Sequence, residues 1–207
     1  MANQEISKRH ALYVIGPSST GKTTLCNALA KDLRLSQTAH VTEVARTVLQ
    51  ERGYTRNDVH NLEMQRDIML AHIQKERFSR QESPGLVLCD RSAIDPIVYV
   101  VLTATDEQMA VERRDQLVQM DEFQHILPLY RESLFVVLGP VEEWVVDDGV
   151  RSIENLQACY KTFQATLDYL GIKYQTLGME TKSLAERVAT VKMVGFLCSS
   201  LLPVSES

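Results

Sequence analysis

The sequence has no long apolar run and no excess of positive charge. Its longest strongly apolar stretch, Pro96 to Thr105, has half of the about 20 residues that a membrane-spanning helix needs. Its first residues contain no segment typical of a secretion signal. The 22 basic residues are outnumbered by 27 acidic ones, a formal net charge of −5. We therefore expect a cytoplasmic protein without membrane segments. Nucleic-acid binding is disfavoured because it relies on a broad positive field.

The four cysteines have no paired spacing. Cys26, Cys89, Cys159 and Cys198 lie far apart in the sequence, whereas zinc sites and redox pairs place two cysteines within a few residues of each other. The chain also has no internal repeat, low-complexity tract or linker, and its 207 residues fit one domain. We expect a single domain over residues 1–207 with its cysteines in the core.

Short apolar runs alternate with helical patterns along the whole chain. Five of these runs are typical of buried strands: Leu12 to Ile15, Thr38 to Thr42, Leu86 to Cys89, Leu134 to Leu138 and Ile172 to Leu177. The segments between them have helical spacing, and parallel strands require connections of that length. This order predicts a three-layer α/β sandwich with a five-stranded parallel sheet. The segment from Asn57 to Arg80 is unusually polar, so we expect it on the outside, over a substrate cleft.

The most specific motif runs from Gly16 to Thr23. Its sequence, Gly-Pro-Ser-Ser-Thr-Gly-Lys-Thr, fits the phosphate-binding pattern of glycine, four residues, glycine, lysine, and serine or threonine. It follows a predicted strand and precedes an amphipathic helix with Leu25 and Leu29, an arrangement that directs backbone N–H groups at a polyphosphate. The alternative is a glycine-containing turn that matches the pattern by chance. The predicted strand directly before the motif and the predicted helix directly after it disfavour this alternative.

The residue types of this motif suit nucleotide binding. Gly16 and Gly21 permit the backbone geometry. Lys22 reaches the β- and γ-phosphates, while Thr23 offers its hydroxyl to Mg²⁺. We expect further contacts to the nucleotide from Ser18, Ser19, Thr20 and Thr24. The motif predicts binding of a nucleoside triphosphate but not the reaction, because kinases, motor ATPases and GTPases share it.

Two charged residues end the third predicted strand. Asp90 lies at the edge where open α/β sheets bind their ligands, and a carboxylate there can hold the water shell of the metal. Arg91 follows directly and suits a phosphate or a substrate carboxylate. The pair can also be a strand-end salt bridge or a helix cap. Asp95 resembles a structural N-cap with Pro96 in the first helical turn, and Tyr99 either lines the cleft or packs in the core.

Two further candidates for catalysis lie in predicted loops. Glu43 follows the second predicted strand, where a carboxylate can accept the proton of a substrate hydroxyl that attacks the γ-phosphate. A surface ion pair with Arg46 is the alternative. The acidic segment of about residues 141–152 is a candidate lid, and its Arg151 can stabilise charge on the transferring phosphoryl group. Otherwise Arg151 caps the following helix or pairs with a neighbouring aspartate.

Four strings together resemble a known family: Gly16 to Thr23, Thr42 to Arg46, Asp90 to Pro96 and Asp147 to Arg151. They are similar in order and spacing to the NadR-like P-loop kinases, a family often labelled AAA domain that includes the ribosylnicotinamide kinase domain. The resemblance implies a nucleoside-kinase-like fold with sheet order 2-3-1-4-5, MgATP at the phosphate loop, and a small acceptor between the second strand's end and the helices after the third. It also supports Asp90 and Glu43 as site acids and Arg151 as the lid arginine.

The first functional hypothesis is an ATP-dependent kinase that transfers the γ-phosphate to a hydroxyl of a small, nucleoside-like acceptor. The alternative is a nucleotide-dependent switch or adaptor with slow or no hydrolysis, which the single arginine of the predicted lid keeps open. A guanine-specific switch is disfavoured because the sequence contains no Asn-Lys-x-Asp string. The sequence leaves open the acceptor, the choice between ATP and GTP, and whether the protein forms a homodimer.

Overall fold

The computed structural model describes residues 11–42, 44–83, 85–141, 156–178, 181 and 183–197. Within these ranges lie five strands: β1 Ala11–Ile15, β2 His40–Val41, β3 Val87–Asp90, β4 Leu134–Leu138 and β5 Tyr174–Leu177. The same ranges contain eight α-helices: α1 Lys22–Asp32, α2 Ala45–Arg52, α3 Leu62–Glu82, α4 Ile94–Leu102, α5 Glu107–Val118, α6 Asp121–Arg131, α7 Leu156–Leu170 and α8 Leu184–Leu197. Glu43, Arg151, Cys198 and residues 142–152 of the predicted lid lie outside the described residues.

The five strands form one parallel sheet in the order β2-β3-β1-β4-β5. This result confirms the predicted fold class and the strand order that the family resemblance implies. In the centre, β1 lies between β3 and β4, and every residue of β1 is buried. Because the carboxyl ends of parallel strands meet at one edge, the segments that follow Ile15 and Asp90 lie side by side there.

The strand bounds differ from the prediction mainly in β2. Only His40 and Val41 pair with β3, although the apolar run predicted a strand from Thr38. Residues Gln37–Ala39 instead form a 3₁₀ turn, which Ser36 caps because its Oγ accepts a hydrogen bond from the Ala39 N–H at 3.2 Å. The 3₁₀ turn therefore delays the strand by two residues.

The core has two layers because alternate residues of a strand point to opposite faces. Leu12 and Val14 face α1 and α8, while Tyr13 and Ile15 face the side that carries α3, α4, α6 and α7. Cys26, Cys89 and Cys159 are buried, which confirms the prediction that cysteines fill the core for these three. Within the described part of the chain, no helix is long and apolar enough to span a bilayer.

The prediction of an outer polar helix over the cleft for residues 57–80 is confirmed in part: the segment lines a cleft through residues such as Gln65 and His72, but it is not one helix and not all its polar residues are outside. Residues Arg56–His60 form a separate 3₁₀ turn, and α3 begins after Asn61, whose Oδ1 accepts from the Glu63 N–H at 2.9 Å. Several polar side chains of α3 are buried: Gln65, His72, Glu76, Ser79 and Arg80. The polarity of α3 therefore has two sources: an outer face with exposed residues such as Glu63, Arg66 and Lys75, and a set of polar side chains that are buried inside the fold.

Candidate functional site

The phosphate loop runs from Gly16 to Gly21 and connects β1 to α1. Gly16 has φ 133° and Gly21 has φ 82°, in the region that favours glycine. A Cβ atom on Gly16 would lie 2.6 Å from the carbonyl oxygen of Leu138 at the end of β4. Ser19 is exposed and has φ 59°, a conformation that few residues other than glycine adopt. The loop therefore holds a specific and partly strained backbone shape against the sheet.

The end of α1 that faces the loop is suited to an anion. The residue before the helix is Gly21, which has no side chain to cap the first N–H groups, and the first turn contains no acidic residue. Uncapped N–H groups and the helix dipole together favour negative charge at such an end. Thr23 and Thr24, two of the predicted contacts, lie in this first turn and are exposed.

Lys22 is buried and folds back onto the loop. Its ammonium group donates to the carbonyl oxygen of Pro17 and lies 3.5 Å from Thr20 Oγ1, which donates to the same carbonyl at 2.9 Å. Burial, followed by the charge of Arg91, lowers the pKa of Lys22 to about 7, although the nearby carboxylates of Asp95 and Asp90 oppose the shift. A polyphosphate on the loop would favour the charged ammonium by adding negative charge.

Thr23 and Asp90 bring two oxygen groups together across the strand edge. Thr23 Oγ1 donates a hydrogen bond of 2.6 Å to Asp90 Oδ2, and Asp90 is 2% exposed. Mg²⁺ in nucleotide sites binds one or two protein oxygens, with phosphate oxygens and water as its other ligands, so this pair fits the predicted metal. No group of three or more His, Cys, Asp or Glu side chains suited to a metal occurs among the described residues.

The turn after β3 has a strained backbone held by several hydrogen bonds. Arg91 has φ 79°, and its N–H donates to the carbonyl oxygen of Val14 at 3.0 Å. Its guanidinium donates to Asp95 Oδ1 at 3.0 Å, while the Ser92 N–H donates to Asp95 Oδ2 at 3.0 Å. Asp95 is thus structural, as predicted, but the N-cap assignment is wrong because α4 already begins at Ile94. The ion pair joins Arg91 to Asp95 rather than to Asp90.

A buried hydrogen-bond network supports this turn from below. The Ala93 N–H donates to Tyr130 Oη at 3.2 Å, and the Tyr130 hydroxyl donates to Glu76 Oε1 at 2.8 Å. Glu76 Oε2 accepts from the Tyr13 hydroxyl at 2.9 Å, and Tyr13 Oη accepts from Arg80 Nη2 at 2.7 Å. Burial raises the pKa of Glu76 to about 7, although Arg80 and the two hydroxyls oppose the shift. The network connects the turn to β1, α3 and α6.

A cleft of about 640 Å³ opens beside the phosphate loop. Its lining includes Ser18 from the loop, Arg91 and Asp95 from the turn and first helical residues after β3, and Tyr99 from α4. Tyr99 therefore lines the cleft, one of its two predicted roles. This volume lies within the range of pockets for small molecules. A small molecule in the cleft would lie directly against the phosphate loop.

Other elements add polar residues to the cleft. Arg46 from α2 was considered in the sequence only as an ion-pair partner of Glu43, and the sequence did not single out Gln50 from α2 or Gln65 and His72 from α3. The sequence does contain a signal for Gln65 and His72, because Gln65, Ile68 and His72 have the spacing of one face of a helix. Arg187 was also missed. It is 1% exposed, and its Nη1 donates to the carbonyl oxygen of Thr20 at 2.9 Å.

Comparisons with solved structures show the same fold in several kinases. A NadR protein in complex with NR superposes with a TM-score of 0.66 and 21% identity, covering 98% of this chain and 55% of that one. M. mycoides deoxyadenosine kinase superposes with a TM-score of 0.61 and 10% identity, covering 89% of this chain and 97% of that one. Candida albicans thymidylate kinase superposes with a TM-score of 0.60 and 14% identity, covering 96% of both chains. The chain spans about half the length of the NadR chains that it matches.

No curated protein sequence matches the chain, but a family model does. The model described as AAA domain matches residues 11–187, which include the phosphate loop, the turn after β3 and every residue that lines the cleft. This match agrees with the resemblance read from the four sequence strings. The chain therefore belongs to the AAA domain family.

Proposed function

We propose that the protein is a kinase that uses MgATP to phosphorylate a hydroxyl group of a small, nucleoside-like acceptor. The observation that carries this proposal is the continuity of the two parts of the site, since Ser18 belongs to the phosphate loop and also lines the cleft. A triphosphate on the loop would place its γ-phosphate at the entrance to the cleft. The complex of a NadR protein with NR and the deoxyadenosine kinase, both similar in fold, support a nucleoside-like acceptor.

The phosphate loop binds and orients the nucleotide in this proposal. Loop N–H groups and the start of α1 contact the phosphate oxygens. The ammonium group of Lys22 leaves the Pro17 carbonyl and binds the β- and γ-phosphates. Thr23 and Asp90 would hold Mg²⁺, which would neutralise part of the phosphate charge. Catalysis comes mainly from positioning and from stabilising charge on the transferring group.

The acceptor occupies the cleft with its hydroxyl towards the loop. The hydroxyl oxygen attacks the γ-phosphorus, the bond to the β–γ bridging oxygen breaks, and Glu43 accepts the hydroxyl proton. The positions of Ala45 and Arg46 support Glu43 in this role, because both line the cleft and follow it closely in the chain. Arg91 contacts the transferring phosphoryl group or a polar group of the acceptor. We assign Arg151 to stabilising charge on the phosphoryl group from the lid.

A phosphorylation screen tests the proposal. The protein is incubated with MgATP and a panel of nucleosides and small alcohols, and products are identified by mass spectrometry. We expect a phosphorylated acceptor whose formation is lost in Lys22→Ala, checked for folding by circular dichroism. The switch or adaptor would be favoured instead if no acceptor changed the rate of ATP consumption and no phosphorylated product formed.

A further inference from the structure

Arg187 links the last described helix to the phosphate loop. It lies in the first turn of α8 and is 1% exposed, although arginine is rarely buried to this degree. Its guanidinium donates through Nη1 to the Thr20 carbonyl oxygen at 2.9 Å and through Nε to the Thr181 carbonyl oxygen at 2.7 Å. One planar group therefore holds the loop and the segment that precedes α8 in a fixed relation.

The contact acts on a particular peptide unit of the loop. The Thr20 carbonyl and the Gly21 N–H belong to the same trans peptide, so they point in opposite directions. A hydrogen bond from a charged guanidinium to the carbonyl fixes the direction of that N–H. It also polarises the peptide, which makes the N–H a stronger donor. On the other side of Gly21, its carbonyl oxygen accepts from the Leu25 N–H at 3.0 Å, so both peptides of Gly21 are held.

We propose that Arg187 is a positioning residue for nucleotide binding, which acts by orienting the Thr20–Gly21 peptide towards the phosphates. This inference rests on the proposed function, because it takes a polyphosphate as the ligand of the loop. The two described hydrogen bonds of Arg187 go to backbone carbonyl oxygens, those of Thr20 and Thr181. Loss of Arg187 should therefore weaken binding of the nucleotide phosphates and leave the acceptor cleft, which it does not line, unchanged.

The test compares two substitutions at this position with one on the same helix. Arg187→Met keeps the length of the side chain and removes all its donors. Arg187→Lys keeps the charge, but an ammonium group lacks the planar fork that reaches both carbonyls. The control is Lys192→Gln, which removes a half-buried positive charge from α8 and its ion pair of 2.6 Å with Asp32. Calorimetry gives the Kd for MgATP, and steady-state kinetics give KM for ATP and for the acceptor identified in the screen.

For Arg187→Met we expect the Kd for MgATP to rise about tenfold, which corresponds to about 1.4 kcal/mol. KM for ATP should rise in parallel while KM for the acceptor stays within about twofold, and Arg187→Lys should lie between this variant and the wild type. Lys192→Gln should match the wild type. A role in stability alone would lower the melting temperature and leave the Kd unchanged in samples that are fully folded at the temperature of the assay.

The possible failures have different meanings. If the wild type binds no MgATP, the proposed function fails and the inference fails with it. If the wild type binds MgATP and folded Arg187→Met binds it equally well, the inference alone is overturned. If Arg187→Met does not fold, Arg187→Lys decides, and an unchanged Kd for this folded variant would overturn the inference.

Discussion

The phosphate loop and the acceptor cleft lie side by side but are built in different ways. The loop consists of consecutive residues, and its shape depends on backbone conformation at Gly16, Ser19 and Gly21. The cleft is lined by side chains from α2, α3, α4 and the turn after β3, which are far apart in the chain. A site built from local backbone geometry leaves one specific string in the sequence, whereas the cleft leaves two short strings, Thr42 to Arg46 and Asp90 to Pro96, that are informative only together.

The strongest test of the backbone side of this comparison is Gly16→Ala. The added Cβ would lie 2.6 Å from the Leu138 carbonyl oxygen at a φ of 133°, so the loop must shift. We expect kcat/KM for ATP to fall at least about 100-fold, equal to about 2.7 kcal/mol. The matched control is Gly53→Ala, which also has a positive φ, of 73°, but no atom within 4 Å of the added Cβ. It should cost about 1 kcal/mol of stability and leave kinetics unchanged. Equal kinetic losses in the two variants would contradict the account.

The second prediction concerns Glu76, which supports the turn shared by the loop and the cleft. Its pKa of about 7 lies above the ordinary value of 4.5, so between these values the folded protein holds a proton that the unfolded chain has lost. The free energy of unfolding should therefore fall as pH rises through this window. In Glu76→Gln this dependence should be smaller by about 2 kcal/mol between pH 5 and pH 7. Urea unfolding at several pH values measures it, and parallel curves for the two proteins would refute the assignment.

A smaller and more selective effect is expected in the cleft. Tyr99→Ala removes a ring that lines the cleft but not the phosphate loop. KM for the acceptor should rise about tenfold, or about 1.4 kcal/mol, while KM for ATP stays unchanged. Tyr169→Ala is the control because Tyr169 is 51% exposed and does not line the cleft. A rise in KM for ATP alone would show that the two parts of the site do not divide the substrates in this way.

The sequence predicted the features that depend on local pattern. The alternation of apolar runs and helices predicted the parallel sheet, and the spacing of Gly16, Gly21 and Lys22 predicted a loop at the carboxyl end of β1. Asp90 was placed at the same edge because it ends a buried strand, and the structure brings it to 2.6 Å from Thr23.

Features that depend on distant partners escaped prediction. The charged residues of α3 suggested an exposed helix, but Glu76 and Arg80 are buried beside the tyrosines of β1 and α6. No pattern within one helix shows such a partner, because the contact spans more than 50 positions in the chain. Arg187 is a stronger case, since its loop contact spans 167 positions. The N-cap assignment of Asp95 failed because its carboxylate bonds backward to the Ser92 N–H from within the first helical turn.

A crystal structure with Mg²⁺ and a non-hydrolysable ATP analogue tests the central claim most directly. The account predicts the triphosphate on residues 16–23, the ammonium group of Lys22 on its phosphate oxygens instead of the Pro17 carbonyl, and the γ-phosphate directed into the cleft beside Ser18. A triphosphate bound elsewhere, or a γ-phosphate directed away from the cleft, would contradict it.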